Sequence, residues 1–118
     1  WVYAVAIAPN GKQAISASAD NTLKLWNLLS GEIEHTFTGH NDWVYAVAIA
    51  PNGKQAISAS ADKTLKLWNL ETGEVIATFT GESGILCCAF TPDGLTIVAG
   101  EESGRLHFLR LEGITDNL

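Results

Sequence analysis

The sequence predicts an all-β protein built from three small antiparallel sheets. Two observations predict it. A unit of about 42 residues recurs along the chain, and each unit breaks into short β-forming runs separated by tight turns. The run WVYAVAIAPNGKQAISASAD opens at Trp1 and again at Trp43. From Trp1 to Trp26 one position differs from its copy: Asn21 stands against Lys63. A fainter third copy begins at Gly84. Pro9, Pro51 and Pro92 recur in step, as do Gly11, Gly53 and Gly94, and so do Trp26, Trp68 and then Leu109. Self-similarity at this period settles architecture before any single residue does.

The second copy is the clearest unit. Trp43–Ala50 is rich in Val, Ile and Ala on both faces, as a strand covered on both sides requires. In Pro51-Asn52-Gly53-Lys54 the proline presets φ and Gly53 can take positive φ, which makes a hairpin turn. Gln55–Ser60 is a second strand, and Ala61-Asp62-Lys63 a tight polar turn. Thr64–Leu70 is a third strand, with Leu65 and Leu67 alternating against Lys66 and Trp68. Glu71-Thr72-Gly73-Glu74 turns again, and Val75–Thr80 is a fourth strand of good β-formers. The same pattern places strands at 2–8, 13–18, 22–28 and 33–38 in the first copy. In the third it places them at 85–91, 95–100 and 105–111, before a short tail from Glu112 to Leu118. The third unit lacks its fourth strand, so eleven are expected. The units divide the chain at 1–42, 43–83 and 84–118.

A four-stranded sheet that is apolar on both faces cannot stand alone. Twisted sheets stacked face to face around an axis make a propeller. Three sheets do not close a ring, because propellers have about four to eight blades. The open apolar face at each end is expected to drive self-association, two chains supplying six blades or three chains nine. The unfilled slot beside 105–111 leaves an open edge.

Composition excludes several classes. The chain has 118 residues and a net charge of −6, with its acidic residues scattered and no basic cluster. Nucleic acid and anionic membranes both require a Lys/Arg footprint, so neither is expected as a partner. No apolar run is long enough to span a bilayer. Cys87 and Cys88, the two cysteines, form no disulfide framework or zinc signature and read as small buried hydrophobes. A cytosolic setting follows by default. There is no methionine, and the chain opens in mid-pattern, as expected of a fragment.

Gly39-His40, the Pro-Asn-Gly turn, Ser-Ala-Ser-Ala-Asp and Leu-Lys-Leu-Trp-Asn together resemble the WD-repeat (WD40) β-propeller family, over essentially the whole chain. Trp26-Asn27 and Trp68-Asn69 stand where the family's Trp-Asp stands. Near-identical copies followed by a worn one resemble the C-terminal ends of bacterial, especially cyanobacterial, WD-repeat proteins. The resemblance implies a buried hydrogen-bond chain of His40, Ser58, Asp62 and Trp68, with Ser60 a competing choice for Ser58. In the first copy Ser16, Asp20 and Trp26 remain. In the third the matching positions are Glu82, Ala99, Ser103 and Leu109, where the chain of bonds is gone. The middle unit is thus expected to be the most rigid and the last the least. The resemblance also places partner-binding positions at the top of the ring: Trp1, Tyr3 and Ala19; Trp43, Tyr45 and Ala61; Gly84, Leu86 and Glu102.

No catalytic constellation stands apart from the repeat. His40, Ser58 and Asp62 have the residue types of a hydrolase triad, yet each sits on a repeat mark and there is no Gly-x-Ser-x-Gly turn. His35 and His107 stand apart from any ligand cluster and read as solvent-facing or packing residues, so no metal is expected. Glu101-Glu102 reads as a solvated turn, and the glycines match no phosphate loop. No cofactor is implied. The expected function is a non-enzymatic scaffold for proteins or peptides, the docking or sensing end of a larger bacterial protein. The alternative is a propeller that binds small molecules or sugars through its Trp/Tyr pairs.

Overall fold

The computed structural model describes residues 1–111. The expected tail from Glu112 to Leu118 lies outside the described residues. Eleven strands and no helix are present among them. Sheet 1 holds β1 (Val2–Ile7), β2 (Gln13–Ser18), β3 (Leu23–Asn27) and β4 (Ile33–Phe37). Sheet 2 holds β5 (Val44–Ile49), β6 (Gln55–Ser60), β7 (Thr64–Asn69) and β8 (Val75–Thr80). Sheet 3 holds β9 (Ile85–Phe90), β10 (Thr96–Glu101) and β11 (Leu106–Arg110). Each sheet is an antiparallel meander in chain order. Each expected strand is found, with ends within a residue or two. The Pro-Asn-Gly turn closes as its residues dictate: Gly53 sits at φ +75° and its N–H donates to the Ala50 carbonyl at 2.8 Å.

The sheets stack face to face in chain order and meet most closely through their first two strands. Side-chain size explains the stacking. In the seam between sheets 1 and 2, small Ala4, Ala6, Ala17 and Ala56 line the inner strands, while Leu23, Leu25, Phe37 and Trp68 fill the outer part. The seam between sheets 2 and 3 repeats this taper, with Ala46, Ala48, Ala59 and Ala99 inside and Leu65, Leu67 and Phe79 outside. A taper of small to large side chains sets flat sheets at an angle, so they fan about an axis near β1, β5 and β9. Fully burying each Leu, Ile or Phe of these seams contributes about 1.5–3 kcal/mol.

Each sheet therefore has a front face, turned towards the preceding sheet, and a back face, turned towards the next. Val44, Val47, Ala56 and Trp68 belong to the front of sheet 2 and are buried against the back of sheet 1. The identical front of sheet 1 is open. Val44 is 0% exposed where Val2 is 67%, and Val47 is 8% where Val5 is 63%.

Sheets 1 and 2 carry one repeated amide in different surroundings. In sheet 1, Gln13 donates to Glu34 at 2.6 Å, and Asn27 donates to the other oxygen of Glu34 at 3.0 Å. Glu34 sits in a bulge of the β3–β4 ladder, and the equivalent bulge residue in sheet 2 is Ile76. Gln55, which matches Gln13, is 1% exposed, and its Nε2 has no hydrogen-bond partner among the described residues. A buried unpaired amide costs about 1–3 kcal/mol. Ile76→Glu restores the carboxylate seen in sheet 1, so it is expected to raise stability by about 1 kcal/mol. The check is a urea midpoint that rises at unchanged denaturant slope.

Candidate functional site: the strand-start rim and the buried polar chain

Two groups of residues come together, one buried between sheets and one at the rim. The buried group lies in sheet 2. Trp68 Nε1 donates to Ser58 Oγ at 2.8 Å, Ser58 Oγ lies 2.5 Å from His40 Nε2, and His40 Nδ1 lies 2.9 Å from Asp62 Oδ2. One arrangement satisfies every atom. Trp68 donates to the serine, the serine hydroxyl donates to Nε2, and Nδ1–H donates to the carboxylate. His40 reaches this position because Gly39 precedes it. A Cβ on Gly39 would lie 3.0 Å from the Trp68 ring, so only glycine lets the loop cross that ring closely. Ser60, the competing choice, points elsewhere and donates to the Trp43 carbonyl at 2.8 Å.

The charge state follows from burial. Desolvation pushes His40 below its ordinary value of 6.5 and keeps the imidazole neutral, although the Asp62 hydrogen bond opposes this. Burial pushes the Asp62 carboxyl up. Hydrogen bonds from the Thr64 hydroxyl, the Asn41 N–H and His40 outweigh it and bring the carboxyl to about 2. The order serine–imidazole–carboxylate is that of a hydrolase relay. Here the hydroxyl is 0% exposed and already engaged by Trp68, so no acyl group has room beside it.

In sheet 1, Trp26 Nε1 donates to Ser16 Oγ at 2.9 Å. Asp20 accepts from the Thr22 hydroxyl at 2.6 Å, which first among its contacts holds its carboxyl at about 2.

Sheet 3 carries a different polar tie. Glu101, expected in a solvated turn, is the last residue of β10, and its side chain is 0% exposed. One oxygen accepts from the Glu82 N–H, the Ser83 N–H and the Ser83 hydroxyl at 2.9–3.0 Å. The other bonds His107 Nε2. The imidazole contact comes first, opposed by burial, and with the Ser83 bonds it holds the Glu101 carboxyl at about 2. His107 thus does not stand apart. In the antiparallel β10–β11 ladder, residues 99 and 107 face each other, so 101 and 107 share a face. That parity was the available signal. Cys87 also departs from expectation. It lies on the uncovered back of sheet 3 and is exposed, while Cys88 faces sheet 2 and burial pushes its thiol up to about 12.

The rim group is gathered by backbone bonds. Ala19 N–H donates to the Trp1 carbonyl, Ala61 to Trp43 and Glu102 to Gly84, at 2.8–2.9 Å. Each first strand carries a bulge there, which leaves Tyr3, Tyr45 and Leu86 without a cross-strand partner. A bulge re-aims its extra residue. The ring of Tyr3 lies 5.8 Å from Trp43 and 5.4 Å from Tyr45, and Trp43 lies 6.4 Å from Tyr45. Gly84 approaches Ala61, and a Cβ there would lie 3.5 Å from its Cα, so the rim runs on from sheet 2 to sheet 3. Trp1 is 88% exposed, Trp43 and Leu86 44%, and Tyr3 37%.

Among the described residues no cluster of three or more His, Cys, Asp or Glu is arranged to hold a metal ion. No helix among them is long and apolar enough to cross a membrane.

Tapered four-stranded meanders fanned about one axis are the blades of a β-propeller. The sequence model of the family described as WD domain, G-beta repeat matches residues 1–27, 31–69 and 73–108, and the chain belongs to that WD-repeat family. None of the curated proteins compared with the chain matches it. The second and third matched segments each begin at a fourth strand and run into the next sheet. Domains of this family are generally non-catalytic and generally mediate protein–protein interaction.

Two outcomes follow from the buried chain. Ser58→Ala leaves the Trp68 N–H and His40 Nε2 unpaired in the core, which is expected to cost about 1–3 kcal/mol. Ser16→Ala strands only the half-buried Trp26 N–H and is expected to cost under about 1 kcal/mol; urea denaturation of both variants compares them. The second outcome concerns pH. A histidine with a depressed folded pKa contributes stability that is full above its unfolded value of about 6.5 and is lost as pH falls towards the folded one. Asp62 adds a second loss of the same sign, full above about 4 and lost as pH falls through about 2. Stability is therefore expected to decline from pH 7 to pH 5, and His40→Gln to flatten that part of the profile.

Proposed function

We propose that the chain is a non-catalytic docking platform whose rim takes a protein or peptide partner, as the docking end of a larger bacterial regulatory protein. In this reading the blades divide at 1–42, 43–83 and 84–118, and copies of the chain close a ring, two chains giving six blades or three giving nine. The contact positions are Trp1, Tyr3, Ala19, Trp43, Tyr45, Ala61, Gly84, Leu86 and Glu102. The observation that carries the reading is the half-exposed cluster of Tyr3, Trp43 and Tyr45 beside small Ala61. Rigid aromatics next to small residues are what interface anchors use, since they bury large area at low entropic cost.

The second reading is a sugar-binding rim with the same rings as stacking platforms. The inclination of the rings favours the peptide. Their planes meet at 37°, 63° and 88°, so the three rings present no common flat surface. A flat sugar face stacks best on one open ring.

Selection of a random peptide display library against the intact chain tests both readings. Selected peptides are expected to lose at least tenfold in affinity against Trp43→Ala or Tyr45→Ala, at unchanged circular dichroism. A glycan-array signal lost in the same variants, with no peptide selected, would replace the first reading by the second.

A further inference from the structure

Two exposed carboxylates flank the rim around Trp43 and Tyr45, those of Asp42 and Glu102. Asp42 stands just before β5 and accepts from the Trp43 N–H at 2.8 Å, which turns its carboxylate back onto the start of that strand. The loop is fixed there. The Ser60 hydroxyl donates to the Trp43 carbonyl at 2.8 Å and lies 3.3 Å from the Asp42 carbonyl, and the Asn41 N–H donates to Asp62 at 3.0 Å. Glu102 reaches the same rim from sheet 3. A Cβ on Gly84 would lie 3.3 Å from its carboxylate oxygen and 3.5 Å from Ala61 Cα, so the carboxylate stands beside Ala61. The Ala61 N–H in turn donates to the Trp43 carbonyl at 2.9 Å.

The cations of the chain lie elsewhere or are engaged. Of its seven Lys and Arg residues, Lys24 and Arg105 lie 3.5 Å from Asp20 and Glu82, and Lys66 donates to Thr78 at 3.2 Å. Lys12, Lys54 and Arg110 sit at the strand ends remote from the rim. That leaves Lys63, in the turn after Ala61, with Asn21 at its place in sheet 1. Asp42 and Glu102 form no ion pair among the described residues.

A carboxylate next to aromatic rings offers a cation two attractions at once. One is the charge itself, and the other is the ring quadrupole, which draws an ammonium or guanidinium to within about 6 Å of the ring centre. An acidic side chain is repelled by both, and a neutral one uses the rings alone. We infer that the partner lays a lysine or arginine side chain on the rings of Trp43 and Tyr45, with Asp42 and Glu102 countering its charge. The inference rests on the peptide docking proposed above and names the chemistry of the partner, a basic peptide segment. The loop bearing Asp42 is already ordered by Ser60 and Asp62, so binding has little left to organise. The net charge of −6 steers a basic segment towards the chain.

The sequences recovered by the random peptide selection test this. They are expected to be enriched in Lys or Arg at one position. Norleucine for that lysine, or citrulline for that arginine, keeps the length and removes the charge. Either change is expected to weaken binding to the intact chain by at least about fivefold, read by fluorescence polarisation. Asp42→Asn and Glu102→Gln are each expected to weaken it by about two- to threefold. Both keep the size of the side chain, and Asn keeps the acceptor that the Trp43 N–H uses, so circular dichroism is expected to be unchanged. Should either variant fail to fold, the salt dependence of wild-type binding decides. Binding is expected to weaken from about 0.1 to 1 M sodium chloride, as the screening length falls from about 10 to 3 Å. Peptides without Lys/Arg enrichment, or bound equally at both salt concentrations, yet lost against Trp43→Ala, overturn the basic partner and leave peptide docking standing. A selection that recovers no peptide overturns both.

Discussion

The constraint on which this fold depends is that every sheet is apolar on both sides. A globular sheet with one wet face alternates polar and apolar residues, and is complete once its dry face is covered. Here Ala4 and Ala6 face one way while Val5 and Ile7 face the other, and the same holds for Ala46, Ala48, Val47 and Ile49. Burial on one side leaves the other requiring a neighbour. The taper of side-chain size then decides the angle at which that neighbour sits. Repetition, stacking and curvature all come from these two properties of a 42-residue unit.

Polar chemistry is layered on that apolar frame. The ring of His40 is held by Ser58 and Asp62 and crosses Trp68, which ties the loop before sheet 2 into sheet 2 itself. In sheet 3 the same task falls to Glu101, which holds the loop at Glu82 and Ser83 from the end of a strand, with His107 beside it. The two solutions share no residue type at matching positions. Both place an anion under the N–H groups of the loop that enters the sheet: Asn41 bonds Asp62, and Ser83 bonds Glu101. A buried carboxylate is tolerable only when hydrogen-bonded, and the backbone supplies the donors.

Much of this could be read from the residues. Periodicity and turn chemistry located all eleven strands, because Pro-Asn-Gly and Asp-Lys-Thr leave the backbone few choices. The chain of His40, Ser58, Asp62 and Trp68 came from the family resemblance, and its atoms lie within hydrogen-bond reach of one another. The tie at Glu101 escaped because two adjacent glutamates near glycine look like a turn. Only the β10–β11 register reveals that the first belongs to a strand and faces His107. The exposure of Cys87 escaped for a different reason. Its face is apolar by composition, and composition does not say whether a face is covered. The bulges that turn Tyr3, Tyr45 and Leu86 out of the ladder were likewise invisible, since no residue there marks an extra position.

The near-identity of the first two copies has a consequence for how the chain finds its own pairings. β3 and β7 both contain LKLWN, flanked in each case by Thr and Leu, so β4 meets two edges of equal chemistry. Side chains cannot tell them apart, and chain distance must. Joining β4 to β3 closes a loop of roughly five residues, whereas joining it to β7 closes one of roughly 26. The difference in closure entropy favours the nearer edge by only about 1.5 kcal/mol. Short turns such as Asn27–Glu32 therefore act as addresses, keeping two interchangeable strands in their own sheets.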